Sequence, residues 1–328
     1  MLHHSSVHTK VAALDWILHL YNKLPNEMFE QTDKLFVVVV GSLTDASDDV
    51  VRRSLAVLAE VCSCAPHSGD LESSPYYYKF LQALLRLLAA DDNLLEDRGA
   101  FIIRQLCILL NAEDMYKALS KILLQERNLR FVATMVDVLN TILLTSAELY
   151  DLRLQLRKFN KAATHSLFSC LYSCWCHSPV SLLALCLLTH NYTHCNKLIS
   201  SFGDLEITVE FLTEVDKLVQ LIESPIFAYM RLELLGGAQS AELRGALYGV
   251  LMLLPQSDAF HTLRNRLQCA PTHTQPAIAL SDPPSEDSVK PSIDFDNLLE
   301  DFKKVQAAHR EFKMVDRSRG KLLDKGYS

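Results

Sequence analysis

The residues best equipped for chemistry fall in one stretch: Cys170, Cys174, Cys176, His177, Cys186, His190, His194 and Cys195. Thiolates and imidazoles are the ligands of tetrahedral zinc, which takes four of them, usually as two close pairs on turns. Here Cys170 and Cys174 stand four apart on a helical pattern, and Cys176 faces elsewhere. Leu167, Leu171, Tyr172 and Trp175 surround them, so the thiols read as small apolar fillers of a helix core. Cys62 and Cys64 read the same way. A cysteine phosphatase carries an arginine six positions after its thiolate to hold phosphate oxygens. None of the nine cysteines has one. Dinucleotide-binding, P-loop, nucleophile-elbow and H-E-x-x-H patterns are also missing. Glu206, Glu210 and Glu214 follow helical spacing along a solvated face. The expectation is a protein that is not an enzyme, with no catalytic residue, no cofactor and no metal site.

What remains is binding. The helical hairpin around Pro225 is the richest surface. Phe211, Val215, Leu218 and Ile222 form one stripe, widened by Leu221, and Ile226, Phe227, Tyr229, Met230 and Arg231 follow on a second, short helix. Tyr248 and Met252 add large side chains on the next apolar segment, residues 243–254. Tyr, Met and Arg are enriched at protein interfaces, and so many large groups exceed what one internal face requires. These twelve are the candidate interface residues. Ordinary core packing is the competing reading. The stretch from Lys303 to Lys325 holds eight bases against three acids and could touch anionic lipid headgroups, although a frayed tail explains it as well. Tyr76, Tyr77 and Tyr78 open a helix with only Lys79 nearby, which favours packing over base stacking. With a formal net charge of −7, no nucleic-acid partner is expected.

The elements that position these residues are helices. Hydrophobic residues make up 49% of the 328, with only 10 glycines, so the chain can bury a large core through long helices and short connections. The longest apolar runs are too short to span a bilayer, and the odd number of cysteines suits reduced, buried thiols. Apolar residues recur at three- and four-residue spacing over roughly 8–24, 48–64, 94–111 and 128–145. The starts lie about 40, 46 and 34 residues apart, near the period of HEAT and armadillo arrays. Thr32 to Leu43 supplies an outer helix, and Val51, Leu55, Leu58 and Val61 form the clearest inner stripe. Because a solenoid needs capped ends, further repeats are expected upstream of Met1. Beyond residue 147 the spacing turns irregular, with helices expected near 147–158, 161–176, 179–190, 192–201, 206–223, 226–235, 240–254 and 256–268. Pro225 starts a helix after Ser224 and Pro255 stops one. A last helix carries Phe295, Leu298, Phe302, Val305, His309 and Phe312 on one face. The fold class is all-α: HEAT-like repeats over 1–146 pass into an irregular helical C-terminal domain over 147–269. A disordered, proline-rich linker over 270–291 and an amphipathic helix and tail over 292–328 follow.

Several long runs resemble one family. They include the segment from Phe101 through Cys107 to Glu113, Leu139 to Ser146, Trp175-Cys176-His177 and Phe202 to Glu206. Glu214 to Tyr229 and Ala246 to Ser257 extend the likeness. Together they resemble the C-terminal part of the ArPIKfyve family, the HEAT-repeat scaffolds of the PIKfyve phosphoinositide kinase complex. The resemblance implies a cytosolic scaffold, peripheral on endosomal or vacuolar membranes, whose C-terminal region self-associates as a homo-oligomer and binds a Sac-domain phosphoinositide 5-phosphatase. It also implies an assembly with a PIKfyve-type lipid kinase that controls phosphatidylinositol 3,5-bisphosphate. The large upstream array through which the family contacts the kinase has no counterpart in this sequence, so kinase docking is where the likeness departs. The array alone would also permit a peptide-binding adaptor of membrane transport, but the inner helices carry no regular Asn or Trp ladder.

Overall fold

A computed structural model describes residue 2 and residues 4–63, 75–158, 162–271 and 293–324. Every regular element among them is helical. The linker expected over 270–291 lies outside the described residues from 272 onward. The chain divides into two compact units, one of residues 1–125 and 146–152, the other of residues 126–145 and 153–328.

In the first unit α1 (Val7–Lys23), α2 (Pro25–Gly41) and α3 (Asp48–Ser63) pack against one another. The expected outer helix starts earlier than its apolar run, because Pro25 takes the first helical turn, where its missing N–H costs nothing. The α3 stripe points inward as its spacing requires: Val51, Leu55 and Leu58 are fully buried and Val61 nearly so. The Arg98 guanidinium donates to the carbonyls of Asp45 and Ala46 and pairs with Asp48, tying down the turn before α3. Next come α4 (Pro75–Ala90), the single turn α5 (Asp92–Leu94), a π turn over Leu95–Gly99, α6 (Ala100–Leu109) and α7 (Ala112–Leu123). Tyr76 and Tyr77 are buried. Lys79 lies over the rings of Tyr76 and Phe36 and bonds Asp33, so the tyrosine run is spent on packing.

The second unit opens with α8 (Leu129–Thr145), is entered again through α9 (Tyr150–Arg157), and continues with α10 (Ala162–Trp175) and α11 (Pro179–Leu188). Every residue from Val180 to Leu188 is buried, as a helix apolar on all sides must be. Around α11 stand α8, α10, α12 (Tyr192–Ser201) and α13 (Val209–Glu223). After α13 a 3-10 turn over Pro225–Phe227 leads into α14 (Ala228–Glu233), then α15 (Ser240–Leu253) and α16 (Asp258–Cys269). Between α14 and α15 the backbone turns at Gly236, whose φ of 142° is open to glycine and strained for other residues. The buried thiols Cys174, Cys176, Cys186 and Cys195 lie in this core. Burial holds the Cys176 and Cys186 thiols well above their ordinary pKa, so they stay protonated and poor in nucleophilicity. Among the described residues no cluster of three or more His, Cys, Asp or Glu side chains could hold a metal ion. No single described helix is long and apolar enough to cross a membrane.

The final helix, α17 (Phe295–Asp324), packs on α10 and α12 of the same unit. Phe302 is its deepest residue, 1% exposed and 6.1 Å from the Phe202 ring. From Glu311 to Val315 every side chain is exposed, Phe312 included; those beyond residue 315 lie outside the described residues.

Candidate partner-binding surface

The Pro225 hairpin is built by capping and by one arginine. Thr208 accepts a hydrogen bond from the Phe211 N–H at 3.2 Å and opens α13. Arg231 donates to the carbonyls of Ile222 and Ser224, the latter at 2.7 Å, and so splints α14 to the end of α13. This satisfies carbonyls that a helix end would otherwise leave bare. Arg231 is therefore engaged within the hairpin.

The structure brings the candidate residues together but faces most of them inward. Val215, Leu218, Ile222, Phe227 and Met230 are core residues, all 2% exposed or less. Phe211, Leu221, Ile226, Tyr229 and Arg231 are half-buried. The Tyr229 hydroxyl donates to the Leu188 carbonyl at 3.2 Å, its ring stacks on His190 at 4.8 Å, and the Arg157 guanidinium sits 3.6 Å from its centroid. Burial raises the Tyr229 phenol pKa and lowers that of His190, which Glu233 pulls back towards protonation. Only Tyr248 and Met252 face solvent, 43% and 82% exposed, one helical turn apart on α15. The opposite side of α15 is pressed on α12 so closely that a Cβ on Gly249 would lie 2.8 Å from Ile199. The twelve candidates leave out Leu232 and Leu235, both more than 60% exposed. Their signal was phase: with Met230 and Leu234 buried, positions 232 and 235 fall on the outer side of the turn.

A cleft of about 260 Å³ opens between α8, α11 and α13 of this unit, bounded by Asn140, Ser181, Glu214, Lys217, Leu218 and Leu221. At its edge the Asp137 carboxylate accepts a 2.8 Å hydrogen bond from Ser181. Burial pushes the Asp137 carboxyl up to about 6, with Glu214 adding to the rise and Ser178, Ser181 and Lys217 opposing it. Glu214 and Lys217 pair at 2.8 Å on its rim. The cleft thus combines apolar walls with hydrogen-bonding groups, a lining suited to a partner's side chain.

Residues 92–270 match the protein-family model described as Vacuolar protein 14 C-terminal Fig4p binding. The chain belongs to the Vac14 family. It is 40% identical over 311 residues to the Protein VAC14 homolog of Schizosaccharomyces pombe, covering 94% of this chain and 37% of that protein. With the VAC14 homolog of Arabidopsis thaliana it shares 42% over 268 residues, 81% of this chain and 35% of the relative. With Vacuole morphology and inheritance protein 14 of Saccharomyces cerevisiae it shares 36% over 263 residues, 80% and 29% of the respective lengths. The chain therefore spans about a third of the length of these Vac14 relatives. No solved structure matches it. The Vac14 family match takes in α5 through α16, hence the hairpin, the cleft and the Tyr248–Met252 face, and ends before α17.

Proposed function

We propose that this chain is a non-catalytic scaffold module that binds a Fig4-type, Sac-domain phosphoinositide 5-phosphatase. In this reading it serves an assembly that sets the level of phosphatidylinositol 3,5-bisphosphate. The observation that carries the reading is the match of residues 92–270 to a family described by Fig4p binding. All-helical architecture supports it, since a scaffold contributes proximity and orientation rather than bond-making. The cleft and the exposed α15 face are the docking surface in this proposal. Met252, Tyr248, Leu232 and Leu235 supply apolar area, which gives most of the free energy at such contacts. Self-association, a PIKfyve-type kinase as further partner, and residence at vacuolar or endosomal membranes belong to the same proposal. The vacuolar association rests on the printed name of the budding yeast relative.

The test is capture of purified Fig4-type phosphatase by the chain, compared with Met252→Asp and Tyr248→Asp. Both positions are solvent-facing, so helicity and thermal stability should stay near wild type while capture weakens tenfold or more. Capture undiminished in both variants would move the docking surface off α15. No capture by the wild-type chain would remove the phosphatase from the proposal.

A further inference from the structure

The seat of α17 is held at both ends by imidazoles. His309 of α17 meets His177 of the α10–α11 turn, nitrogen to nitrogen, at 2.9 Å. Phe295 at the start of α17 covers His194 of α12, with ring centroids 4.9 Å apart. The His194 imidazole is 3% exposed and bonds the Tyr172 hydroxyl at 2.8 Å. Between these points Gln306 donates to the Cys176 carbonyl at 2.7 Å, and Phe302 fills the aromatic bed beside Phe202.

We propose that α17 is a releasable clasp, held on α10 and α12 only while the histidines beneath it are uncharged, so that mild acid opens it. Two imidazoles joined nitrogen to nitrogen share one proton between them. Protonating both sets two N–H donors face to face and breaks the bond. The surrounding charges do little to offset this. Lys313 on α17 and Lys197 on α12 disfavour a positive imidazole, and Asp296 at the start of α17 favours one at His194 while already paired with Lys197. Arg310 on α17 bonds the Asp204 carbonyl, and Asp301 of α17 acts on the neighbouring Cys176 and Tyr172. Burial lowers His177 and takes both His194 and His309 down to about 4.

The sign follows from linkage. A histidine whose pKa is depressed in the docked state gives its full stabilisation above the free value of about 6.5 and loses it as pH falls towards 4. For His309 alone the undocking equilibrium shifts about tenfold between pH 7.5 and pH 5.5. The clasp rests on the contacts of α17, which lies beyond residues 92–270, with a seat inside them, and not on the phosphatase reading.

Hydrogen exchange on the full chain tests the proposal, with protection factors corrected for the intrinsic pH dependence of exchange. Protection over residues 295–310 should fall about tenfold from pH 7.5 to pH 5.5, while that of α11 is unchanged. In His309→Gln and His177→Gln, where an amide can replace the imidazole bond without titrating, the pH response of α17 should shrink. Protection in α17 that is equal at both pH values would overturn the clasp, as would parallel loss in α11. An undiminished response in both variants would remove the histidine pair from it.

Discussion

The α13–α14 hairpin and α17 carry much the same sequence signature, an apolar stripe at helical spacing, yet the molecule uses them in opposite ways. The hairpin sends Val215, Leu218, Ile222, Phe227 and Met230 into the core and closes with a backbone splint from Arg231. The last helix buries one aromatic, Phe302, half-buries Phe295 against Phe168 and His194, and adds an imidazole pair, a glutamine and the exposed Lys197–Asp296 ion pair. Hydrophobic burial does not titrate and is lost only with the fold; hydrogen bonds among imidazoles can be lost alone. An amphipathic stripe therefore says that a helix lies against something, and the polar residues within the stripe say how firmly.

The contrast is sharpest at two phenylalanines. Phe227→Ala should cost about 3–5 kcal/mol and lower the melting temperature of the second unit as a whole, read by calorimetry, because the cavity sits in the common core. A loss below 1 kcal/mol would mean that the hairpin is peripheral after all. Phe302→Ala removes a similar ring but should act locally: hydrogen-exchange protection disappears over α17 while that of α11 and α13 is kept. Global destabilisation by Phe302→Ala would erase the distinction between the two elements. A smaller effect refines the account of the cleft beside the hairpin. Asp137→Asn keeps an acceptor for Ser181 and removes a buried charge, so it should stabilise by about 1–2 kcal/mol at pH 7.5. An acid whose folded pKa is raised to about 6 costs stability above that pH and little below its unfolded value near 4. The gain should therefore fade between pH 6 and pH 4 in denaturant titrations; a gain independent of pH would assign it to something other than the charge.

Much of this was legible in the residues. The inner helices stand where the three- and four-residue spacing puts them, with α1 at Val7–Lys23, α3 at Asp48–Ser63 and α8 at Leu129–Thr145. Pro225 and Pro255 mark breaks for the reason proline always does. The direction of the hairpin was harder to read. On α14 nearly every residue is large, so the six-residue helix shows no apolar face, and only its neighbours decide that Met230 turns in and Leu232 out. The Arg231 splint needed the bend at Ser224 before its carbonyl targets existed. His177 and His309 are 132 residues apart in sequence, and no local pattern pairs them. His190 takes a left-handed backbone with φ 62°, which its neighbours in sequence do not announce.

The length of α17 has a mechanical side. Its hydrogen bonds to the turns beside α10 and α12 include those of His309 and Arg310, and the rod runs on to Asp324, about 21 Å beyond Arg310 at 1.5 Å per residue. A tilt of about 10° at the seat would sweep the far end through about 4 Å. The two imidazoles lie near this fulcrum, so protonation of both is geared to a displacement larger than the bond it breaks.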